Sequence, residues 1–348
     1  MVQPLSSAPR VRSDSLPLRS FRGSGQPTAI VGLGSCIPEK VLTNFDLEKM
    51  VDTSDQWIRE RTGIERRHIA EPGTPTFELA TTAARQALDH ANLSAQELDL
   101  ILVATSSPDS PFTSIACRVQ EQLGAPGAPA FDLLAACSGF VYALSVAETY
   151  IASGRYKNVL VIGAEVLSRL IDWTDRSTCV IFSDGAGAAI LRPASRGAGF
   201  ISWCLGADGR GYHQITCGNP ERGGYNSGEG PPKIAMKGPD VFKFATDILI
   251  RQAYAVAIAA NMDPSEIDLW VPHQANRRII EAAARRVGLP MERVMLNIQE
   301  YGNNSTASIP LALHQAQQSG RLKAGDKVLL AGFGAGLTWS SCLLEWEL

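Results

Sequence analysis

Phe131-Asp132-Leu133-Leu134-Ala135-Ala136-Cys137-Ser138-Gly139-Phe140 is the stretch from which the fold of this 348-residue chain is read. An apolar strand is predicted to end near Ala136. A helix is predicted to start just after Cys137 and to run through Val141, Leu144, Ala147, Tyr150 and Ile151 to a Gly154 cap. That order puts Cys137 at a helix N-terminus, where unpaired amides and the helix dipole favour a thiolate. Such a cysteine is a candidate nucleophile. Taken alone, it is equally readable as a small buried hydrophobe.

Outward from this stretch, strands alternate with helices. Thr28–Gly32, Asp99–Thr105, Asn158–Gly163 and Asp184–Leu191 read as strands, and residues 77–92 as a helix. The alternation indicates an α/β protein. Two blocks recur in the same order. Ala91-Asn92-Leu93 through Leu98-Asp99-Leu100 is echoed by Ala260-Asn261-Met262 through Ile267-Asp268-Leu269, an offset of 268 − 99 = 169. Ser153-Gly154-Arg155 is echoed by Ser319-Gly320-Arg321, an offset of 319 − 153 = 166. The echoes predict duplicated halves, 27–198 and 199–348. Carried through with 166, they set Cys137 opposite Asn303.

Residues 1–26 stand apart, with six Ser, three Pro, four Arg and one acid, Asp14. They read as a disordered extension, with a plastid transit peptide as the alternative. On that reading, a chain starting at Gln26 melts like the full one. The remainder has ordinary globular composition, 45% hydrophobic with net charge −3, so nucleic acid and anionic membrane are not indicated as partners. The uncharged run from Leu133 to Ala147 is too short to span a membrane. Seven scattered cysteines without a C-x-x-C pair point to a reducing, cytoplasmic setting and away from a disulfide framework or zinc site.

Other patches carry chemistry. Trp57 and Arg61 share one face of a short helix capped by Ser54 or Asp55, an arrangement that suits a stacked base and a phosphate. His273, in Val271-Pro272-His273-Gln274-Ala275-Asn276, follows a repeated strand. Gly302-Asn303-Asn304 precedes a helix, and Gly332-Phe333-Gly334-Ala335-Gly336 is a turn able to bring an amide close to an oxygen.

Together with Asp184-Gly185-Ala186-Gly187-Ala188 and Gly334-x-Gly336-x-Thr338, these patches resemble β-ketoacyl-acyl carrier protein synthase III, a thiolase-fold condensing enzyme. The likeness covers Thr28 to Leu348. It implies a five-layered α-β-α-β-α fold, a homodimer, and catalytic Cys137, His273 and Asn303. The implied oxyanion hole is the amides of Cys137 and Ala335. Coenzyme A would meet Trp57, Arg61, Arg176, Asn276 and Arg278, and Phe112 would enter a neighbouring subunit's acyl pocket. The implied reaction condenses an acyl-coenzyme A starter, acetyl in the expected case, with malonyl-acyl carrier protein, without metal or other cofactor. Tyr301 where His is frequent, Ala335 where Gly is frequent, and a long 218–232 loop depart from the pattern. An ester-forming acyltransferase of specialised metabolism is the main alternative. Chemistry like that of hydroxymethylglutaryl-coenzyme A synthase requires a Glu base, and the motifs supply no obvious one.

Overall fold

The duplicated halves form two five-stranded sheets that share a central layer of helices. The computed structural model describes residues 18–23, 25–195, 199–218 and 232–348. The long loop noted at 218–232 thus lies almost wholly outside the described residues.

The chain opens with β1 (Ser20–Arg22) and β2 (Thr28–Cys36). A hairpin of β3 (Val41–Thr43) and β4 (Arg66–His68) brackets α1 (Asn44–Leu47) and α2 (Asp55–Thr62). Next come α3 (Thr76–His90), β5 (Leu100–Ala104), α4 (Ile115–Leu123), β6 (Ala130–Leu133), α5 (Gly139–Ala152), β7 (Val159–Glu165) and β8 (Gly185–Pro193). The second half holds β9 (Gly199–Ala207), the ribbon β10 (Ile215–Cys217) and β11 (Ile234–Met236), then α6 (Gly238–Ala260) and β12 (Leu269–Pro272). It closes with α7 (Arg277–Val287), α8 (Ile298–Tyr301), α9 (Ser308–Gln318), β13 (Lys327–Gly334) and β14 (Thr338–Glu345).

One sheet has the order β2-β8-β7-β5-β6 and the other β1-β9-β14-β13-β12. The pairs β5–β6, β5–β7 and β12–β13 are parallel. Every residue of β5 is buried, as expected for a parallel strand covered on both faces. α3 and α4 pack on the outer face of the first sheet, with Ala80, Ala83, Ala84 and Ala87 fully buried. α6 and α7 cover the second sheet through Leu249, Ala253, Ile280 and Ala284. Between the sheets, Phe140, Leu144 and Ala147 of α5 join Ile309 and Leu313 of α9 in one core. A helix with a sheet on either side needs apolar surface all round, and α5 has it. The result is the five-layered α-β-α-β-α thiolase-like architecture.

Close backbone contact locks the central layer. A Cβ on Gly163 of β7 would lie 2.3 Å from the carbonyl oxygen of Thr306, just before α9. Only glycine allows that approach.

The register of the repeat corrects one expectation. The starts of α5 and α9 differ by 308 − 139 = 169, whereas their C-caps differ by 319 − 153 = 166. A three-residue deletion inside the helix separates the two offsets. Across the turn before the helices the offset is therefore 169, and Cys137 corresponds to Thr306 rather than Asn303. The backbone agrees: Ala136 and Ser305, also 169 apart, have φ of 46° and 47°.

The N-terminal expectation also changes. Ser20, Phe21 and Arg22 pair antiparallel with Cys204, Trp203 and Ser202. The Gly23 amide donates to Ile201 at 3.0 Å, and the Gln26 amide to Ala152 at 3.2 Å. Three strand residues are too few for periodicity to be seen; backbone bonds define them, and the Arg22 Nε donates to the Ala259 carbonyl at 2.7 Å. Residues 1–17 lie outside the described residues. Removing 1–17 should leave the melting temperature unchanged, while removing 1–26 should lower it by a few degrees. Equal melting of the two truncated chains in thermal scans would show that β1 adds nothing.

Candidate active site

A cavity of about 790 Å³ opens where the two sheets meet, and Cys137, His273, Asn303 and Ala335 all line it. Each is placed by its backbone. Cys137 lies in a single 3₁₀ turn, Ala136–Ser138, that leads directly into α5. His273 follows β12, its amide donating to Ala331 at 2.8 Å. Asn303 is pinned between residues 181 and 183: its amide donates to Ile181 at 3.0 Å, and its carbonyl accepts from the Ser183 amide at 3.0 Å. A Cβ on Gly334 would fall 2.6 Å from the Cys137 nitrogen, so the end of β13 lies directly against the Cys137 turn.

Burial works against the thiolate that a helix start favours. Cys137 keeps partial exposure because it lines the cavity. The surrounding protein nevertheless withholds enough water that burial pushes its thiol up to about 12. The negative charge of Glu165 raises it further, and the Ser305 hydroxyl opposes the rise. Position at a helix start does not outweigh loss of solvent here.

The same dryness holds His273 neutral. Burial lowers its imidazole to about 3. Its Nδ1 lies 2.6 Å from the Ser308 hydroxyl, and that oxygen accepts from the Gln274 amide at 3.4 Å. With its oxygen so engaged, the Ser308 hydroxyl is free to donate to Nδ1. A Ser308 hydroxyl that donates to Nδ1 leaves the imidazole proton on Nε2. The Phe333 ring meets the imidazole edge-on at 5.4 Å. Asn303 is oriented similarly: its Oδ1 accepts from the Ser305 amide at 2.9 Å, leaving the Nδ2 hydrogens to donate. His273 and Asn303 thus bring two neutral donors to one cavity.

At the mouth, Trp57, Arg61, Asn276 and Arg278 line the same space. Ser54 caps α2 by accepting from the Trp57 amide at 3.1 Å. Asn276 caps α7, accepting from the Arg278 amide at 2.9 Å, and its Nδ2 donates to the Arg61 carbonyl at 2.9 Å. Its side chain thereby ties α2 to α7. Arg176 is not among the lining residues. Its guanidinium lies 5.2 Å over the Trp57 ring, held by donation to the Asp52 carbonyl at 2.6 Å. Arg176 and Trp57 are thus neighbours, as the resemblance implies. Phe112, 98% exposed, does not line the cavity of its own chain.

Sequence reading passed over Ser305, Ser308 and Glu165. The serines carry no motif of their own. Glu165 had a readable signal: a lone acid ending the apolar strand 159–165. Charged residues at strand ends in α/β folds commonly belong to sites.

The family described as 3-oxoacyl-[acyl-carrier-protein] synthase III matches residues 131–209, and its C-terminal part matches 258–346. The chain is 50% identical over 324 residues to a β-ketoacyl-[acyl-carrier-protein] synthase III of Desulfitobacterium hafniense, spanning 91% of this chain and 97% of that one. The crystal structure of 3-oxoacyl-[acyl-carrier-protein] synthase III from Aquifex aeolicus VF5 superposes with a TM-score of 0.86 at 48% identity, covering 92% of this chain and all of that one. The priming β-ketosynthase of the R1128 polyketide pathway gives 0.88 at 33% identity, covering 93% and 98%.

A buried neutral histidine has a consequence for stability. Between pH 6.5 and about 3 the unfolded chain protonates His273 and the folded chain does not, so stability falls as pH drops through that window. From pH 6.5 to 5 the contribution is roughly 2 kcal/mol. Urea midpoints at pH 7 and pH 5 should therefore differ more for the parent than for His273→Gln. An identical drop in both proteins would contradict a neutral His273.

Proposed function

Because the chain belongs to the 3-oxoacyl-[acyl-carrier-protein] synthase III family, we propose that it is the acyltransferase that starts fatty acid synthesis. It joins an acyl-coenzyme A starter, acetyl-coenzyme A, to malonyl-acyl carrier protein by decarboxylative condensation. The observation carrying this reading is that His273, neutral through burial and bonded at Nδ1 to Ser308, and Asn303, whose Oδ1 is taken by the Ser305 amide, line one cavity with a cysteine. Loss of CO₂ from a malonyl thioester generates an enolate without any base. What the site must supply is hydrogen bonds to the new oxyanion.

The Cys137 sulfur attacks the acyl thioester, and the amides of Cys137 and Ala335 hold the tetrahedral oxygen. Coenzyme A leaves through the mouth lined by Trp57, Arg61 and Arg278. Malonyl-acyl carrier protein then enters with its thioester oxygen directed to His273 and Asn303. CO₂ departs, and the enolate carbon attacks the acyl group on Cys137. Collapse frees the Cys137 sulfur and the 3-oxoacyl carrier protein. No further cofactor takes part, since the acyl group arrives already activated on coenzyme A.

The surface beside the mouth suits an acidic carrier. Arg277, Arg278, Arg285 and Arg286 of α7 are all exposed, on the helix that begins at Asn276. A second copy of the chain is the proposed partner at β6, which among the described residues ends its sheet with one edge unpaired. Phe131 at 38% exposure, Leu134 at 78% and Phe112 at 98% place apolar surface beside that edge. Uncovered strand edges invite pairing, and a two-fold contact covers both at once. Phe112 would then reach the partner's acyl site.

Separating the half-reactions tests the assignment. Asn303→Ala and His273→Ala should still take an acyl group onto Cys137, yet slow CO₂ release and condensation by about 10²–10³-fold each. Cys137→Ala should lose acyl uptake while retaining slow decarboxylation. Acyl-enzyme mass and CO₂ release measured together report both. Condensation by Asn303→Ala at the parent rate would remove Asn303 from the mechanism and favour the ester-forming alternative.

A further inference from the structure

Two turns carry the amides assigned above to the tetrahedral oxygen. One, residues 135–138, presents Cys137; the other, residues 334–338, presents Ala335. Ala136 and Ala335 each line both the cavity of about 790 Å³ and a second one of about 360 Å³, which also meets Ala135, Gly336 and Thr338. The turns thus form a thin wall between two hollows, with little packing to stiffen it. Ala136 also sits at φ 46°, a strained value for alanine. Strained backbone persists only where surrounding groups over-determine it.

Hydroxyl groups supply the hold. Thr338 and Ser340 alternate along β14, so both leave the strand on one face. The Ser340 hydroxyl, fully buried, donates to the Ser138 carbonyl at 2.9 Å. Thr338 Oγ1 lies 3.0 Å from the Ala335 carbonyl oxygen, 3.0 Å from that of Ala135 and 2.8 Å from Ser138 Oγ. Ser138 Oγ in turn lies 2.6 Å from the Ala135 carbonyl oxygen. Two hydroxyl oxygens 2.8 Å apart require a hydrogen between them, so at least one of the pair's hydrogens spans the turns. The second turn is also tied to the end of β9, where the Asp208 amide donates to Leu337 at 2.8 Å and the Leu337 amide to Asp208 at 2.9 Å.

We propose that Thr338 is a positioning residue for acyl transfer: its hydroxyl, together with that of Ser138, fixes the spacing between the Cys137 and Ala335 amides. The inference rests on the condensing-enzyme reading, which gives those two amides the tetrahedral oxygen. Thr338 is not among the residues that line the larger cavity, so it acts through the two backbones it joins.

Geometry is the reason a hydroxyl is needed there. An oxyanion donor helps only when it already stands at hydrogen-bond distance from the place the charged oxygen will take. Both donors are backbone amides, so neither adjusts by changing a rotamer, and the way the turns are joined sets the distance between them. Valine at 338 keeps the shape of threonine but supplies no hydrogen and no acceptor. The turns then lose the bond that spans them, and the wall relaxes. The groups assigned to the enolate are anchored elsewhere: His273 to Ala331 of β13, and Asn303 to Ile181 and Ser183. Loosening the wall therefore slows the tetrahedral steps and spares decarboxylation.

The test compares the full-length parent with Thr338→Val, Thr338→Ser and Ser138→Ala. Single-turnover acyl transfer from acetyl-coenzyme A to Cys137 is followed by intact mass over a series of substrate concentrations. Thr338→Val should lower the maximal loading rate on the order of 10²-fold, while the half-saturating concentration moves far less. Thr338→Ser keeps the hydroxyl and should recover most of that rate. The second assay is CO₂ release from malonyl-acyl carrier protein by Cys137→Ala, with and without Thr338→Val added. The two should match, because both retain His273 and Asn303. Should Thr338→Val fail to fold, Ser138→Ala decides, since it removes the other hydroxyl of the pair and should slow loading in the same way. Loading by Thr338→Val at the parent rate, or no recovery in Thr338→Ser, would overturn the proposal. So would a loss of CO₂ release equal to the loss of loading, which marks a general loosening of the site. A parent protein that takes no acyl group from acetyl-coenzyme A would sink the condensing-enzyme reading and the proposal with it. A parent that loads, beside a Thr338→Val that loads equally fast, removes the proposal alone.

Discussion

Burial of the titratable groups at the seam between the two sheets is the constraint on which the site depends. It raises the Cys137 thiol and lowers the His273 imidazole by one cause, loss of solvent around the charged form. Charge can then exist only where donors already wait. Each polar group in the seam is arranged accordingly: Ser308 orients His273, the Ser305 amide orients Asn303, and a ring of serines and threonines holds Glu165. A reaction that passes through a tetrahedral oxyanion and an enolate gains from such preorganised donors far more in a dry site than in water.

The fold produces this seam by duplication. Each half contributes a sheet and one central helix, and each central helix is entered by a turn whose first residue has positive φ. One turn presents Cys137; the other presents Ser305 and Thr306. Gly163 lets the second turn lie on β7, and Gly334 lets β13 lie on the first. The two turns therefore meet over the end of β7, which is where Glu165 sits. The halves differ there, with a sulfur on one side and hydroxyls on the other.

Much of this was legible in the sequence. The repeated Asn-to-Asp blocks announced two halves, because each marks the passage from a helix to a buried strand. The Cys137 stretch, the His273 strand end and the Gly302-Asn303 turn were recognisable as chemistry because their residue types are scarce and their positions near strand ends or helix starts are informative. The burial of Cys137 was not readable, since its solvation depends on β13 and the turn before α9, which lie far away in the chain. The same limit hid Glu165: its serine and threonine partners are spread from residue 105 to 306 and gather only in three dimensions. β1 escaped notice because an edge strand three residues long is defined by its partner rather than by its own pattern. The fit of Arg176 over Trp57 likewise belongs to tertiary packing.

The central claim is that Cys137 carries an acyl group whose only productive exit is decarboxylative condensation. Intact-mass analysis of the unaltered protein, with CO₂ release followed in parallel, tests it directly. Acetyl-coenzyme A alone should give one acetyl adduct, mapped to Cys137, that persists in buffer and in the presence of simple alcohols. Adding malonyl-acyl carrier protein should clear the adduct with one CO₂ released per 3-oxoacyl product formed. An adduct on another residue, or one that malonyl-acyl carrier protein leaves intact while an alcohol removes it, would contradict the account.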